Sequence, residues 1–539
     1  MRFVKQILAC VLSALLFFVA WPPNSHAAFI FFAFIPLLWL LFDANAISEK
    51  RRAWRLYGLL FVSFLLTNFL LTQWVMNAHW AGGLFASFFN ATIMSLVLLM
   101  VYKLKLRLGV KHAWIALPLM WLSFEYLHLH WDLTWPWLIM GNVFSEKISW
   151  IQWYEYTGFL GGSLWVLLLN MALYYVLKTV LQTKSLLSVS KALIPTVILL
   201  LPFYCSSNLM NQENVTSEKF INTVIVQPNF EPHHEKFQIS ESRQIDRVER
   251  LLDSVWVHEP DLIVLPETFL TDWIWEDRIE NTASIKRLKS WLKNHPSTQI
   301  LTGASTGSVL TDLDNLPHTA RKSQAGTWYE IYNTALLISR DYPTQVYHKS
   351  VLVPGAEMTP YADVLVPILG DIGLEIGGNV GNFGTDDSIA NLRAINGDFA
   401  PMICYESVFG DYVRKFVSSG AQWICVITND GWWGDSYGYQ QHSSYASLRA
   451  IENRRAIIRS ANTGISSVIN SRGEVEHFLP YGISGIISSK VPLRDDLSFY
   501  SQHGDYLGRL ASFLVIIYFL QLLLSYLKRD KIDLKSINK

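Results

Sequence analysis

The chain divides by polarity into three stretches. Residues 1–210 are dominated by long apolar runs, 211–505 alternate short apolar segments with polar ones, and 507–527 are apolar again. The runs fall at about 4–21, 28–43, 54–76, 82–102, 112–127, 160–181, 192–210 and 507–527, a pattern that predicts a multi-span bundle of about eight helices. Most approach the roughly 20 residues that an α-helix needs to cross about 30 Å of hydrocarbon. Runs 28–43 and 112–127 are short, and a re-entrant or buried helix is the alternative at both. The middle stretch reads differently. Residues 220–227 predict a strand, and Ile245, Val248, Leu251, Leu252 and Val255 recur at helical spacing within 239–257. Further strands are predicted at 261–265, 298–303, 332–339, 345–348, 399–404 and 423–428, with a second helix at 282–294. Strand, helix, strand order predicts an α/β domain with helices packed on a sheet.

Charge supplies an independent check on the spans. Arg2 and Lys5 precede the first run, and Lys50, Arg51, Arg52 and Arg55 separate the second from the third. Lys103, Lys105, Arg107 and Lys111 follow the fourth, Lys178, Lys184 and Lys191 surround the sixth-to-seventh turn, and Lys528, Arg529, Lys531 and Lys535 follow the last. The intervening loops 22–27 and 77–81 have no Lys or Arg, and 128–159 has only Lys147. Basic residues stay on the cytoplasmic side. The alternation therefore predicts a multi-pass protein with both termini cytoplasmic and the polar block outside the cytoplasmic membrane, which in a bacterium means the periplasm. Ser25-His26-Ala27 has the small-residue look of a cleavage site, but a long apolar run precedes it and another follows at once, so an uncleaved anchor is expected.

Composition agrees. Of 539 residues 51% are hydrophobic and only 16% charged, with a mean hydropathy of +0.23; soluble domains carry about a quarter charged residues. The formal net charge is zero, so nothing draws the chain toward nucleic acid. Cys10 and Cys205 lie in apolar runs and read as packing residues. His233-His234-Glu235 has no further ligands at zinc spacing and reads as a polar loop, so no metal is expected. Glu125, inside the fifth run, reads as a helix-end residue at the interface, or else a functional acid within the membrane.

Three residues with useful chemistry follow predicted strands: Glu267 after Leu-Ile-Val-Leu, Lys349 after Val-Tyr-His, and Cys404 after Ala-Pro-Met-Ile. Carboxyl ends of strands are where α/β folds gather reactive groups. Singly they read as a cap, a solvated lysine and a small core residue. Together they supply a base, a cation and a nucleophile, and a thiol needs the first two to act near neutral pH.

The order Leu-Pro-Glu267, His-Lys349 and Ile-Cys404-Tyr-Glu406 resembles the nitrilase superfamily, whose domain is an α-β-β-α sandwich. With the predicted spans, the chain is similar to the membrane-embedded branch of that superfamily, the bacterial apolipoprotein N-acyltransferases. Trp135-Pro-Trp137, Tyr332-Asn333, Asn429-Asp-Gly-Trp-Trp-Gly-Asp435, Gln441-His442, Arg449, Asn453-Arg454-Arg455 and Asn462-Thr-Gly464 extend the likeness over nearly the whole chain. The resemblance implies Cys404 as nucleophile, Glu267 as general base, and Lys349 with the Tyr405 N–H as stabilisers of the oxyanion. It implies supporting roles for Asn333, Glu357, Tyr405 and Glu406. Phe237 stands where the family often has the Trp of a Lys-Trp pair in a mobile loop, keeping the apolar contact and losing the indole N–H. The implied reaction moves an acyl chain from a phospholipid to Cys404 and then to the α-amine of an apolipoprotein's N-terminal diacylglyceryl-cysteine, without metal or other cofactor. The implied domains are a bundle over 1–210, an extracytoplasmic domain over 211–505, and a helix and tail over 506–539. The Gly- and Pro-rich segment Val351–Asn382 is expected to form an apolar lid arm. Two other readings use the same residues differently: a membrane-tethered amidase or nitrilase with water as acceptor, and a transporter or binding protein with a degenerate outer domain.

Overall fold

The computed structural model describes residues 2–43, 52–183, 191–211, 219–231, 235–253, 259–362, 382–386 and 388–537. Among the described residues, six helical segments are long and apolar enough to cross a membrane: Phe3–Ala20, Arg52–Thr72, Trp80–Leu108, Phe159–Gln182, Leu193–Asn211 and Tyr506–Leu524. The two short runs behave differently. Residues 28–43 break into helices Ile30–Ala33 and Ile35–Phe42, buried at Ile30, Phe34, Leu38 and Leu41. The Asn170 side chain donates to Ile30 O (2.9 Å) and accepts from Phe34 N (2.9 Å), which satisfies backbone groups at the break. Run 112–127 forms helix Val110–Leu127, packed against Trp80–Leu108 and Tyr506–Ile537. Glu125 near its end is buried. It accepts from Trp121 Nε1 and Met140 N, both at 3.0 Å, and so ties the helix to the following loop instead of facing the interface.

The polar block forms two sheets. The strands of the first are β1 (Phe220–Gln227), β2 (Leu262–Val264), β3 (Leu270–Trp275), β4 (Gln299–Val309), β5 (Arg321–Lys322), β6 (Trp328–Ile338) and β7 (Gln345–His348). The second contains β8 (Leu392–Ala394), β9 (Gly397–Ile403), β10 (Trp423–Thr428), β11 (Ile457–Ala461), β12 (Ser466–Ile469) and β13 (Val475–Leu479); β14 (Gly485–Pro492) returns to the first. The orders are β14-β1-β2-β4-β6-β5, with β3 on β4 and β7 on β6, and β13-β12-β11-β10-β9-β8. β1, β2 and β4 run parallel in register Ile225, Val264, Leu301, and β9, β10 and β11 run parallel in register Met402, Val426, Arg459. Of these inner strands, β2, β10 and the Phe399–Ile403 part of β9 read as continuous apolar runs because both faces are covered.

Ile221, Ile225, Val264, Leu301 and Leu337 of the first sheet share a core with Phe399, Met402, Ile424 and Val426 of the second. Helices Glu241–Asp253 and Ala283–Leu292 cover the first sheet with Ile245, Val248, Leu252, Ile285 and Leu288. Helices Gly410–Ser418 and Tyr437–Asn453 cover the second. The result is the helix-sheet-sheet-helix sandwich that the resemblance implies.

Sandwich and helical body share a core. Trp74, Trp137, Phe144 and Phe159 pack in one cluster with Tyr405, Phe409, Tyr445 and Leu448. Polar bonds lock the seam: Trp21 Nε1 donates to Tyr445 OH (3.0 Å), which donates to Trp137 O (2.8 Å), and Gln441 Nε2 donates to Pro22 O and Leu71 O at 3.1 Å each.

Candidate active site at the strand ends

Glu267 lies three residues beyond β2, and Thr268 after it holds a left-handed φ of 48°. β4 passes so close that a Cβ at Gly303 would sit 2.3 Å from Thr268 N and 2.6 Å from Glu267 Cα. Only glycine permits that approach. Lys349 directly follows β7, and its N–H donates to Asn333 O (2.8 Å) on the neighbouring β6. Cys404 directly follows β9 with φ 51°, and opens the 3₁₀ turn Cys404–Val408. A left-handed non-glycine residue is costly and persists only where the surroundings impose it.

The structure brings the expected residues together. Glu267 Oε1 accepts from Asn333 Nδ2 (2.8 Å) and Lys349 Nζ (3.4 Å), and its Oε2 accepts from Asn429 N (3.0 Å). Lys349 Nζ also donates to Glu357 Oε1 (2.8 Å), whose Oε2 accepts from Val353 N (2.9 Å). Lys349 is 1% exposed. Burial pulls its pKa down, but Glu357 and Glu267 more than offset that and hold it as an ammonium, well above the usual lysine range. Burial pushes the Cys404 thiol up, and the Glu267 charge pushes it further, with Lys349 opposing. At rest Cys404 is therefore a thiol, and its activation needs a base to take the proton.

Glu406 is fully buried and ties two of these positions. Its Oε2 accepts from Ile403 N (2.8 Å); its Oε1 accepts from Tyr347 OH (2.8 Å), Ser350 N (2.7 Å) and Val351 N (3.3 Å). The backbone just before Cys404 and just after Lys349 is thus held by one carboxylate. Burial raises its pKa to about 7, against the pull of those donors. Tyr405 OH donates to Thr134 O (3.1 Å), and its ring lies 5.9 Å from Trp137, so the loop around Trp135-Pro-Trp137 touches the residue after Cys404. Phe237 is exposed and stacks on Trp432 at 6.2 Å. Its neighbour Lys236 is buried, with Nζ donating to Glu267 O (3.0 Å) and Thr268 Oγ1 (2.8 Å); burial lowers its pKa to about 7, with Glu267 opposing. Most of Val351–Asn382, and His233 and His234, lie outside the described residues.

Asp430, His442 and Arg459 lie behind Cys404, and sequence reasoning gave them no role. Cys404, Asp430 and His442 bring a sulfur, a carboxylate oxygen and a ring nitrogen within 4.8 Å of one another. Arg459 ion-pairs with Asp430, so a guanidinium already neutralises the carboxylate that a metal ion would need. The available signal was an arginine inside the apolar strand Ile457–Ala461, since a buried charge demands a partner.

A buried carboxylate and ammonium with a part-buried thiol at the sheet ends of a sandwich, joined to helices long enough to span a bilayer, define a membrane-embedded enzyme of the carbon-nitrogen hydrolase class. The Carbon-nitrogen hydrolase family matches residues 225–495, and the Apolipoprotein N-acyltransferase N-terminal domain matches residues 13–172. Among relatives, the apolipoprotein N-acyltransferase of Chlorobaculum tepidum is 29% identical over 504 residues, 90% of each chain. That of Geobacter metallireducens is 26% identical over 521 residues, 93% of this chain and 92% of the other. A solved nitrilase-superfamily amidase from Nesterenkonia AN1 aligns with a TM-score of 0.37 and 15% identity, over 55% of this chain and 99% of that one. This chain belongs to the apolipoprotein N-acyltransferase family.

Proposed function

We propose that the protein carries out the last step of bacterial lipoprotein maturation: it moves an acyl chain from a phospholipid, through a thioester on Cys404, to the α-amine of an apolipoprotein's N-terminal diacylglyceryl-cysteine. The observation that carries this reading is the setting of Cys404. The charges of buried Glu267 and Lys349 act on its thiol, and it lies one residue from Tyr405, which packs on the helical body. A thiol there meets substrates held in lipid.

In this mechanism Glu267 takes the thiol proton as sulfur attacks the donor's ester carbonyl carbon. The carbonyl π pair moves onto oxygen, where the Lys349 ammonium and the Tyr405 N–H stabilise it. Removing one such preorganised donor typically costs about 3–4 kcal/mol. The intermediate collapses with C–O cleavage, and Glu267 returns its proton to the departing lysophospholipid alkoxide. The neutral acceptor amine then attacks the thioester; its proton passes through Glu267 to the sulfur as the C–S bond breaks. Asn333 and Glu357 hold Glu267 and Lys349 in register, Glu406 holds the strand ends, and Phe237 with Trp432 lines the approach.

The same reading divides the chain into a bundle over 1–210, a catalytic domain over 211–505 and a closing helix and tail over 506–539. It places the domain on the periplasmic face of the inner membrane with both termini cytoplasmic, on the strength of the Lys and Arg alternation. An amidase using water could run on the same three residues, but it has no evident need of the helical body. The test is to incubate purified protein with labelled phospholipid and a diacylglyceryl-cysteinyl peptide. Label in an amide on the peptide is expected. Label released only as free fatty acid would overturn the reading in favour of hydrolysis.

A further inference from the structure

The Cys404 carbonyl oxygen has two donors. Ser407 Oγ donates to it at 2.7 Å, and His442 Nε2 lies 3.1 Å from it and 3.0 Å from Ser407 Oγ. A carbonyl only accepts, and the serine proton is already committed to it, so Nε2 carries a proton and donates. On the far side of the ring, Nδ1 lies 3.1 Å from Arg459 Nη2 and 2.9 Å from Asp430 Oδ1. Arg459 Nη2 also donates to Asp430 Oδ2, and Thr428 Oγ1 donates to Asp430 Oδ1 (2.7 Å). Asp430, His442 and Arg459 are all buried. With the ring neutral, Nδ1 accepts from Arg459; with the ring charged, Nδ1 donates to Asp430. In both states Nε2–H points at Cys404 O.

A peptide unit is planar and trans, so its C=O and N–H point in opposite directions. Fixing the Cys404 oxygen therefore fixes the Tyr405 N–H. That N–H lies in the first turn of a 3₁₀ helix, where backbone donors have no acceptor within the helix. We propose that Asp430, His442 and Arg459 form a positioning relay that clamps the Cys404–Tyr405 peptide, so that the Tyr405 N–H is aimed at the oxyanion before the acyl carbonyl arrives. The relay also explains how Cys404 keeps a left-handed backbone without glycine: its carbonyl is held from behind while Glu406 holds the preceding N–H of Ile403. None of the three side chains needs to touch substrate. They act through the peptide, and this role rests on the thioester reading above.

Two reactions of the same sulfur separate the relay from general damage. Acylation by labelled phospholipid passes through an oxyanion; alkylation by iodoacetamide displaces iodide at a saturated carbon and forms none. For His442→Ala, the single-turnover acylation rate should fall about 100-fold, the low end of losses on removing an oxyanion donor, while alkylation stays within about twofold of wild type. His442→Gln, whose amide N–H reaches as far as Nε2, should recover at least about tenfold of the lost acylation. Unchanged acylation in His442→Ala, a parallel fall in alkylation, or no gain in His442→Gln would each overturn the relay. If wild-type protein fails to acylate Cys404 at all, it is the thioester reading that fails.

Discussion

Glu406→Gln is a change of nearly the same shape with a large expected consequence. The carboxylate accepts four hydrogen bonds: three on Oε1, from Tyr347 OH, Ser350 N and Val351 N, and one on Oε2, from Ile403 N. An amide has one oxygen. Its NH₂ must face either the single donor or the three, and the cheaper choice turns it toward Ile403 N–H. That leaves a buried backbone N–H opposed by another donor, a cost of about 1–3 kcal/mol. Relief from burying a carboxylate whose pKa is raised to about 7 offsets part of it. Activity should suffer more than stability, because Ile403 and Ser350 each adjoin a reactive residue. A displacement of about 1 Å at such a position costs about 10²-fold in rate. The assay pairs a melting curve in detergent with single-turnover acylation of Cys404 by labelled phospholipid. A small fall in melting temperature with an acylation loss near 100-fold is expected. Wild-type values for both would refute the claim that one carboxylate holds both strand ends.

Gly303→Ala should leave membrane insertion intact and reduce acylation by at least about 100-fold, because its Cβ must displace the Glu267–Thr268 backbone; single-turnover acylation within about tenfold of wild type would contradict the close approach. Lys349→Met should abolish acylation and lower stability by about 3–5 kcal/mol, since buried Glu267 and part-buried Glu357 would face each other without their shared cation. Adding Glu357→Gln to that variant should restore much of the melting temperature and none of the activity. Asp430 supplies a pH test. Burial pushes its pKa up, but Arg459 and His442 override this and hold it well below the ordinary 3.8. A depressed carboxyl stabilises the fold above its unfolded value and loses that stabilisation as pH falls through the folded one. The melting-temperature gap between wild type and Asp430→Asn should therefore be full at pH 7 and narrow as pH drops below about 4.

Much of this architecture was legible because apolar runs and charge alternation are local signals. Strands 220–227, 345–348 and 423–428 fall where the pattern put them. Helix Tyr437–Asn453 has no such signature, because its sides pack on both the sheet and the helical body, and buried Gln441, Arg449 and Glu452 interrupt any apolar stripe. The break inside 28–43 was hidden because the group that satisfies it, Asn170, comes from a distant helix. Glu125 read as an interface residue for the same reason: its donor Met140 N belongs to a loop that folds back over the helix. Glu267, Lys349 and Cys404 stood out because each ends an apolar strand. Asp430, His442 and Arg459 did not, since their charges pair only once β10, β11 and the helix between them are assembled.

The central claim concerns what the sulfur carries between the two half-reactions. Protein exposed to labelled phospholipid without acceptor, then digested and analysed by mass spectrometry, should show the acyl mass on the peptide containing Cys404. That mass should disappear when a diacylglyceryl-cysteinyl peptide is added and reappear on its amine. Acyl label on a different residue, or transfer to the peptide that persists in Cys404→Ala, would contradict the account.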